Sequence, residues 1–112
     1  MILKLKEGNV VIELFEDVAP NHVNRFKLLA NEKKYDGVVF HRVIDGFMAQ
    51  TGDVEFGNSN LESYDIRQDG TGGSKYPNIK AEFSDTPQDR GTLSMDRSFD
   101  HDSNNSNFFI CF

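Results

Sequence analysis

The segment from Val38 to Thr51, VVFHRVIDGFMAQT, constrains the fold more than any other part of the sequence. Two apolar, β-branched runs flank Asp45-Gly46, a pair that favours a tight hairpin turn because glycine accepts a positive φ. We therefore predict strands over residues 38–44 and 47–51, joined by a type I′ turn.

Two polar residues interrupt this hairpin, since Arg42 lies in the first run and Gln50 in the second. The pattern alone leaves two interpretations of Arg42 open. It is either an edge-strand arginine that reaches water or pairs with an acidic group, or a guanidinium at the rim of an apolar ligand pocket that Phe47 and Met48 help to form.

The rest of the chain predicts a mostly β protein with one clear α-helix. Apolar residues repeat with helical spacing after Pro20, which is tolerated in a first helical turn, so a helix is predicted over about residues 20–31. Short apolar runs predict further strands at residues 2–6, 10–15, 79–83, 91–95 and 108–112. Between them, residues 52–78 are rich in Gly, Asn, Ser and Asp without periodicity, which is typical of a long loop.

Length, charge and cysteine usage restrict the class of protein. A chain of 112 residues predicts one domain. A net charge of −6 argues against general binding to nucleic acid or to anionic membranes, which needs a basic face. Cys111 is the only cysteine, so no intrachain disulfide is expected, and no apolar signal or membrane-length run is present. We therefore expect a cytoplasmic protein.

The 10 phenylalanines predict an aromatic core or an apolar site built from rings.

Neither a metal nor a cofactor is predicted. The three histidines, His22, His41 and His101, lack the spacing of metal ligands. The glycine-rich stretch at residues 70–75 lacks the spacing of a phosphate-binding loop, and no helical pattern follows it.

The stretch FHRVIDGFMAQTGD, residues 40–53, closely resembles the signature of the cyclophilin-type peptidyl-prolyl isomerases in their compact bacterial form. The likeness continues through VVIELFEDVAPNHVNRF, DGTGG, KAEFSDTPQDRGTLSM and SNNSNFFICF, with a polar expansion around residues 54–68. The family fold is a closed antiparallel β-barrel capped by helices. The resemblance therefore implies a single, partial cyclophilin-like domain over residues 1–112.

The resemblance implies a role for individual positions. Arg42 matches the catalytic arginine of the family. The positions that match substrate-binding residues are Phe47, Met48, Gln50, Gly70, Asp96, Arg97, Ser98, Asn107 and Phe109. Within this set, Gly70 opens a loop beside the peptide groove, the three residues that follow Met95 form a groove wall, and Phe109 belongs to the proline pocket.

The implied activity is isomerisation of X–Pro bonds, which assists protein folding. The implied partners are proline-containing peptides and unfolded proteins, together with the cyclic peptide inhibitors that the family binds. Arg42 would stabilise the twisted amide, and the reaction needs no nucleophile, metal or cofactor.

Three departures from the family pattern bear on this interpretation. The sequence stops at Phe112, well before the family usually does, which predicts a barrel that is incomplete at the C-terminus. A homo-oligomer that covers the strand edges left open is the favoured expectation. A naturally reduced form with a rearranged end and a fragment of a longer protein are the alternatives. Asp96 replaces a small apolar residue and would either pair with Arg42 or face solvent. Asn107 is one methylene shorter than the usual glutamine.

Two alternative functions follow from these departures. The chain could be a proline-peptide binding module that has lost turnover, or a self-assembling β protein with a vestigial groove. Peptide binding measured together with rate enhancement separates the isomerase from the binding module. Molecular mass in solution, combined with a peptide titration, separates the self-assembling protein from both.

Overall fold

The computed structural model describes residues 1–112. Its elements are strands β1 (Ile2–Leu5) and β2 (Gly8–Val11), helix α1 (Pro20–Asn31), and strands β3 (Arg42–Ile44), β4 (Met48–Thr51), β5 (Leu93–Met95) and β6 (Phe108–Cys111). The prediction of a β protein with one helix over residues 20–31 is confirmed.

The strands form two separate antiparallel sheets. One is the hairpin β1–β2, and the other has four strands in the order β3-β4-β6-β5. Strand β6 pairs with β4 on one side and with β5 on the other, so it is central to the larger sheet. The two sheets do not join into a closed barrel, in agreement with the incomplete antiparallel barrel that the sequence predicts.

The core lies between α1, β2 and one face of the larger sheet. Ile12, Phe26 and Phe108 are buried there. The rings of Phe26 and Phe108 meet edge to face with centroids 5.0 Å apart, and Tyr35 packs against both. Such edge-to-face contacts add to the free energy gained by burial. The aromatic core is thus present, although it takes up only part of the phenylalanine content, since the Phe99 side chain is fully exposed.

Helix α1 begins at Pro20 and is capped by a residue from far along the chain. Ala19, at the N-cap, has no side chain that could accept a hydrogen bond. The Glu82 carboxylate accepts instead the backbone N–H groups of Asn21 at 3.1 Å and of His22 at 2.8 Å, and it also contacts the His22 imidazole. The helix is neither long nor apolar enough to cross a membrane.

The strand predicted at residues 79–83 is wrong. Within this segment only Ile79 makes a β-bridge. The backbone N–H of Ala81 donates to the Asp102 carboxylate at 2.9 Å, and the Glu82 side chain caps α1. The Asp102 side chain thus supplies a hydrogen bond that a neighbouring strand would otherwise have supplied.

Every other predicted strand is also shorter than expected: four lose one or two residues, such as β5, which is Leu93–Met95 instead of 91–95, and two differ more. Of residues 38–44 only Arg42–Ile44 are paired as a strand, because the N–H of Val39 donates to Gly57 O in the long loop at 2.9 Å. Strand β2 ends at Val11, although the apolar pattern continues to residue 15.

The β3–β4 hairpin is present, but its turn differs from the predicted one. Ile44 pairs with Met48, which leaves three residues in the loop. Of these only Gly46 has a positive φ, at 71°. A type I′ turn requires positive φ at both central residues, so that turn type is wrong for Asp45-Gly46. The turn is closed by the N–H of Phe47, which donates to Ile44 O at 3.0 Å.

Candidate functional site

A single row of side chains crosses the larger sheet. Arg42 pairs with Gln50, Gln50 with Phe109, and Phe109 with Ser94. Residues directly opposite each other in an antiparallel sheet project to the same face. Met48 is two positions from Gln50 on β4 and therefore shares that face. We call the surface formed by Arg42, Met48, Gln50, Ser94 and Phe109 the groove face.

The groove face is turned away from the core. Phe108 packs against Phe26 of α1, and successive side chains of a strand point to opposite faces. Phe109 therefore projects from the other side of the sheet, together with Arg42. Arg42 and Gln50, the polar residues of the hairpin, therefore do not point into the core between the sheet and helix α1.

Arg42 is exposed, and its side chain makes no hydrogen bond or ion pair with another residue. It lies on the edge strand β3, as the simpler interpretation of the sequence expects, but it pairs with no acidic group. Its neighbours on β4 are buried, with Met48 4% and Gln50 9% exposed. An unpaired guanidinium beside a buried thioether and a buried amide is an arrangement that can bind a partly apolar ligand.

The Asp96 side chain makes neither of the two expected contacts, because it binds Gln50 instead of pairing with Arg42 or lying free in solvent. Its Oδ2 accepts a hydrogen bond of 2.6 Å from Gln50 Nε2. Its backbone N–H donates to Asn107 O at 2.8 Å, which attaches the end of β5 to the start of β6. The carboxylate that departs from the family pattern thus contacts the amide of the groove face.

Burial raises the pKa of the Asp96 carboxyl above its ordinary value. A hydrogen bond from the backbone of Arg97 and the neighbouring basic side chains of His41, Arg42 and Arg97 oppose this shift without cancelling it. Desolvation disfavours the charged form of an acid, whereas nearby cations favour it. Asp96 therefore takes up a proton more readily than an exposed aspartate.

Asp53 organises the glycine-rich loop and was not among the site residues predicted from the sequence. Its side chain is fully buried, and its Oδ1 accepts the N–H groups of Glu55 at 3.0 Å and Phe56 at 2.8 Å. Its Oδ2 accepts those of Gly70 at 2.7 Å and Gly72 at 2.9 Å. Hydrogen bonds to an ionised acceptor are among the strong ones. An aspartate at the entrance of a glycine-rich loop is the sequence signal that could have found it.

Gly70 fills a position where a side chain would not fit. Its φ is 93°, and a Cβ added there would lie 2.8 Å from His41 Nε2. Two residues further on, Gly72 O accepts a hydrogen bond of 3.0 Å from Asn107 Nδ2. The loop is thereby attached both to Asp53 and to the residue that precedes β6.

The structure does not place Phe47, Arg97 or Ser98 in the row on the sheet. Phe47 belongs to the β3–β4 turn, and its side chain is 58% exposed. Arg97 donates to Ser98 O at 3.2 Å, and the Ser98 hydroxyl and N–H both contact Ser103 Oγ at 2.9 Å. These groups are engaged within their own loop, and their contact with a ligand stays a prediction.

A large cavity lies elsewhere. A cleft of about 670 Å³ separates the β1–β2 hairpin from β5 on the core side of the sheet, and its wall includes Phe26 and Ile110. Of the groove face only Ser94 borders that wall, together with the predicted site residue Arg97, whereas Arg42, Gln50 and Phe109 take no part in it. Size alone therefore does not indicate the site, because the exposed guanidinium lies on the other face.

These features define a small antiparallel β protein that presents an unpaired arginine on an open sheet face. A family model described as cyclophilin type peptidyl-prolyl cis-trans isomerase/CLD matches residues 1–112. The chain belongs to the cyclophilin-type peptidyl-prolyl isomerase family, and the resemblance seen in the sequence is confirmed.

Individual relatives agree with this assignment. A probable peptidyl-prolyl cis-trans isomerase of Brucella suis is 56% identical over 112 residues, which is 100% of this chain and 57% of the relative. A peptidyl-prolyl cis-trans isomerase of Synechococcus elongatus is 39% identical over 110 residues, 98% of this chain and 66% of the relative. This chain thus spans 57% of the length of the Brucella protein.

A solved structure shows the same fold. A cyclophilin-type isomerase of Cryptosporidium parvum, crystallised in the presence of the dipeptide Ala-Pro, matches with a TM-score of 0.80 at 27% identity. The match covers 99% of this chain and 66% of that chain.

Proposed function

We propose that this chain is a peptidyl-prolyl cis-trans isomerase domain that acts on X–Pro bonds of peptides and unfolded proteins and so assists folding. The observation that carries the proposal is the exposed, unpaired Arg42 next to buried Met48 and Gln50 on one face of the sheet. Membership of the isomerase family supports it, as does the Ala-Pro dipeptide used with the related Cryptosporidium protein.

Arg42 has the chemistry that such a reaction requires. Rotation about an X–Pro amide is slow because the nitrogen lone pair is delocalised, with a barrier of about 18–20 kcal/mol. In the twisted state the lone pair is localised on nitrogen, so a donor there stabilises the twisted amide more than either planar form. A guanidinium stays protonated and presents its donors in a rigid plane.

The apolar members of the groove face strengthen this effect. Met48 and Phe109 would receive the proline ring, and Phe47 would cover it from the turn. A bound ring excludes water and lowers the local dielectric constant, which increases the contribution of a hydrogen bond to the twisted amide. Gly70, Asp96, Arg97, Ser98 and Asn107 are proposed to border the peptide on either side.

The test is prolyl isomerisation of one X–Pro peptide, followed by exchange NMR. We expect the chain to speed exchange and the Arg42→Ala variant to lose about 100-fold or more of the rate enhancement, as after loss of one transition-state donor. Arg90→Ala is the matched control, because Arg90 is exposed, makes no hydrogen bond, and borders the cleft on the opposite side.

Other outcomes identify the alternatives. Full activity in Arg42→Ala would contradict the assigned role of Arg42. Peptide binding without rate enhancement would indicate a proline-peptide binding module. Assembly without peptide binding would indicate a structural β protein.

We propose three further properties. The groove face binds cyclic peptide inhibitors in competition with X–Pro peptides, because both would occupy the same apolar surface. The chain forms a homo-oligomer, which the 80% exposed side chain of Val11 on the β1–β2 hairpin supports. Residues 1–112 form a single, partial cyclophilin-like domain with a cytoplasmic location, which the aromatic core and the free thiol of Cys111 support.

A further inference from the structure

The amide of Gln50 is held in one orientation by its partner. An ionised carboxylate only accepts hydrogen bonds, so the nitrogen of the amide has to face Asp96 Oδ2, as observed at 2.6 Å. The oxygen of the same amide is then directed elsewhere. Gln50 Oε1 accepts no hydrogen bond from the protein, yet it is not among the fully buried polar atoms that lack a partner. It is therefore accessible to water or to a ligand on the groove face.

Charged groups surround Asp96 from each neighbouring element. Arg42 acts on it from the first strand of the hairpin, His41 from the position before that strand, and Arg97 from its own loop. Asn107, at the start of β6, offers only a carbonyl group, which accepts the Asp96 N–H. The side chain of Gln50 is thus the one polar side chain that the carboxylate binds directly.

We propose that Asp96 is a positioning residue that sets the hydrogen-bonding character of the groove face through Gln50. When Asp96 is ionised, it holds the amide so that Oε1 is offered to the ligand as an acceptor. When it takes up a proton from solvent, its O–H donates to Oε1 and the amide turns, so that the nitrogen is offered as a donor.

The expected direction with pH follows from the surroundings of the carboxyl. Burial raises the pKa of Asp96, so the change should occur at a higher pH than for an exposed aspartate. The protonated form, with the donor turned to the ligand, predominates below that pKa.

The effect on the substrate rests on the proposed isomerase activity, whereas the turn of the amide does not. In neutral solution Gln50 Oε1 can accept a hydrogen bond from a peptide N–H of the substrate. In acid the turned amide presents its own N–H to that peptide N–H, so this hydrogen bond is lost. Loss of one hydrogen bond would raise KM for an X–Pro peptide by roughly threefold to tenfold. The kcat value should change less, because Arg42 is not altered.

The experiment follows the side-chain amide resonances of Gln50 by ¹⁵N NMR between neutral and acidic pH on the full 112-residue chain. We expect a single titration in the native chain and none in Asp96→Asn, which keeps a hydrogen-bonding partner but cannot ionise. Asp45→Asn is the matched control, since Asp45 lies exposed in the β3–β4 turn and its side chain binds no other residue. It should titrate like the native chain.

Two results would overturn the proposal. They are a Gln50 amide that does not titrate in the native chain, and one that titrates unchanged in Asp96→Asn. KM and kcat measured at the same pH values give the second readout, and a rise of KM in acid that persists in Asp96→Asn would contradict the assigned effect on substrate. If no variant speeds isomerisation, the proposed activity fails, while the Gln50 titration still decides whether Asp96 positions the amide.

Discussion

At the scale of single residues, the site depends on polar groups that are buried but paired. Gln50 is 9% exposed and Asp53 is fully buried, yet each has a hydrogen-bonding partner. A buried polar group without a partner costs about 1–3 kcal/mol. Asn107 has such a group, because its Oδ1 is buried without a partner. The Arg42 side chain differs from all of these, because it is exposed and free, which leaves its donors available to a ligand.

The sequence indicated some of these residues and missed others for a physical reason. Arg42 and Gln50 could be found because they interrupt an apolar pattern in a hairpin of local contacts. The partner of Gln50 could not, because Asp96 lies 46 residues away. Asp53 was missed because two of its partners are the backbone N–H groups of Gly70 and Gly72, which are distant in sequence, so only its place at the start of the glycine-rich loop indicates the role.

The first prediction at this scale concerns Gly70. An alanine there would have a positive φ, and its Cβ would contact His41 Nε2 at 2.8 Å. Gly46→Ala is the matched control, because Gly46 also has a positive φ but nothing lies within 4 Å of the added Cβ. We expect Gly46→Ala to lower the free energy of unfolding by about 1 kcal/mol through backbone strain alone. Gly70→Ala should lower it by about 2–4 kcal/mol, because the imidazole contact adds to the strain.

Urea unfolding of the two variants would measure the difference. Equal losses of stability would show that the contact with His41 can relax without cost. In that case the positive φ alone would explain the presence of glycine at position 70.

At the scale of secondary structure, elements that depend on local sequence signals were predicted correctly, whereas elements that depend on contacts distant in sequence were not. Helix α1 was predicted with its observed bounds because its signals, Pro20 and the helical spacing, are local. The segment 79–83 has an apolar pattern but no strand beside it, so a prediction from pattern alone failed. The central place of β6 between β4 and β5 is likewise a tertiary property.

The cap of α1 by Glu82 gives a prediction that depends on pH. Burial would raise the pKa of Glu82, but the hydrogen bonds from His22 and Asn21 outweigh it and lower the pKa below its ordinary value. A depressed pKa means that the ionised group stabilises the folded state above the unfolded-state pKa, and that this contribution is lost as pH falls through the folded-state value. We expect Glu82→Ala to lower the free energy of unfolding at neutral pH by about 1 kcal/mol, as for the loss of an N-cap.

Thermal or urea unfolding at a series of pH values would follow this contribution. The difference between the native chain and Glu82→Ala should shrink in acid, once Glu82 is protonated in both the folded and the unfolded state. Glu62→Ala is the control, because Glu62 is exposed and makes no hydrogen bond. A difference that stays constant down to acidic pH would contradict capping by the charged form.

At the scale of the whole molecule, the two sheets leave apolar surface uncovered between and beside them. Ile2 and Val11 face each other across the β1–β2 hairpin and are 56% and 80% exposed. Exposed apolar side chains on a strand edge favour pairing with another chain.

We therefore expect the chain to associate as its concentration rises, and Val11→Lys to reduce the association by placing a charge on this edge. Ile66→Lys is the matched control, since Ile66 is 76% exposed but lies in the long loop outside both sheets. Sedimentation equilibrium over a range of concentrations measures the mass. A native chain that stays monomeric throughout, or an equal effect of both lysines, would contradict association through the hairpin.

The central position of β6 also has a consequence for the order of events during synthesis. Strands β3 and β4 leave the ribosome long before residues 108–111, which supply Phe109 to the row that contains Arg42. Contacts so distant in sequence form late because a long intervening loop has to be closed first. A nascent chain thus carries Arg42 on an unsupported hairpin and acquires the complete groove face only when β6 has emerged and inserted between β4 and β5.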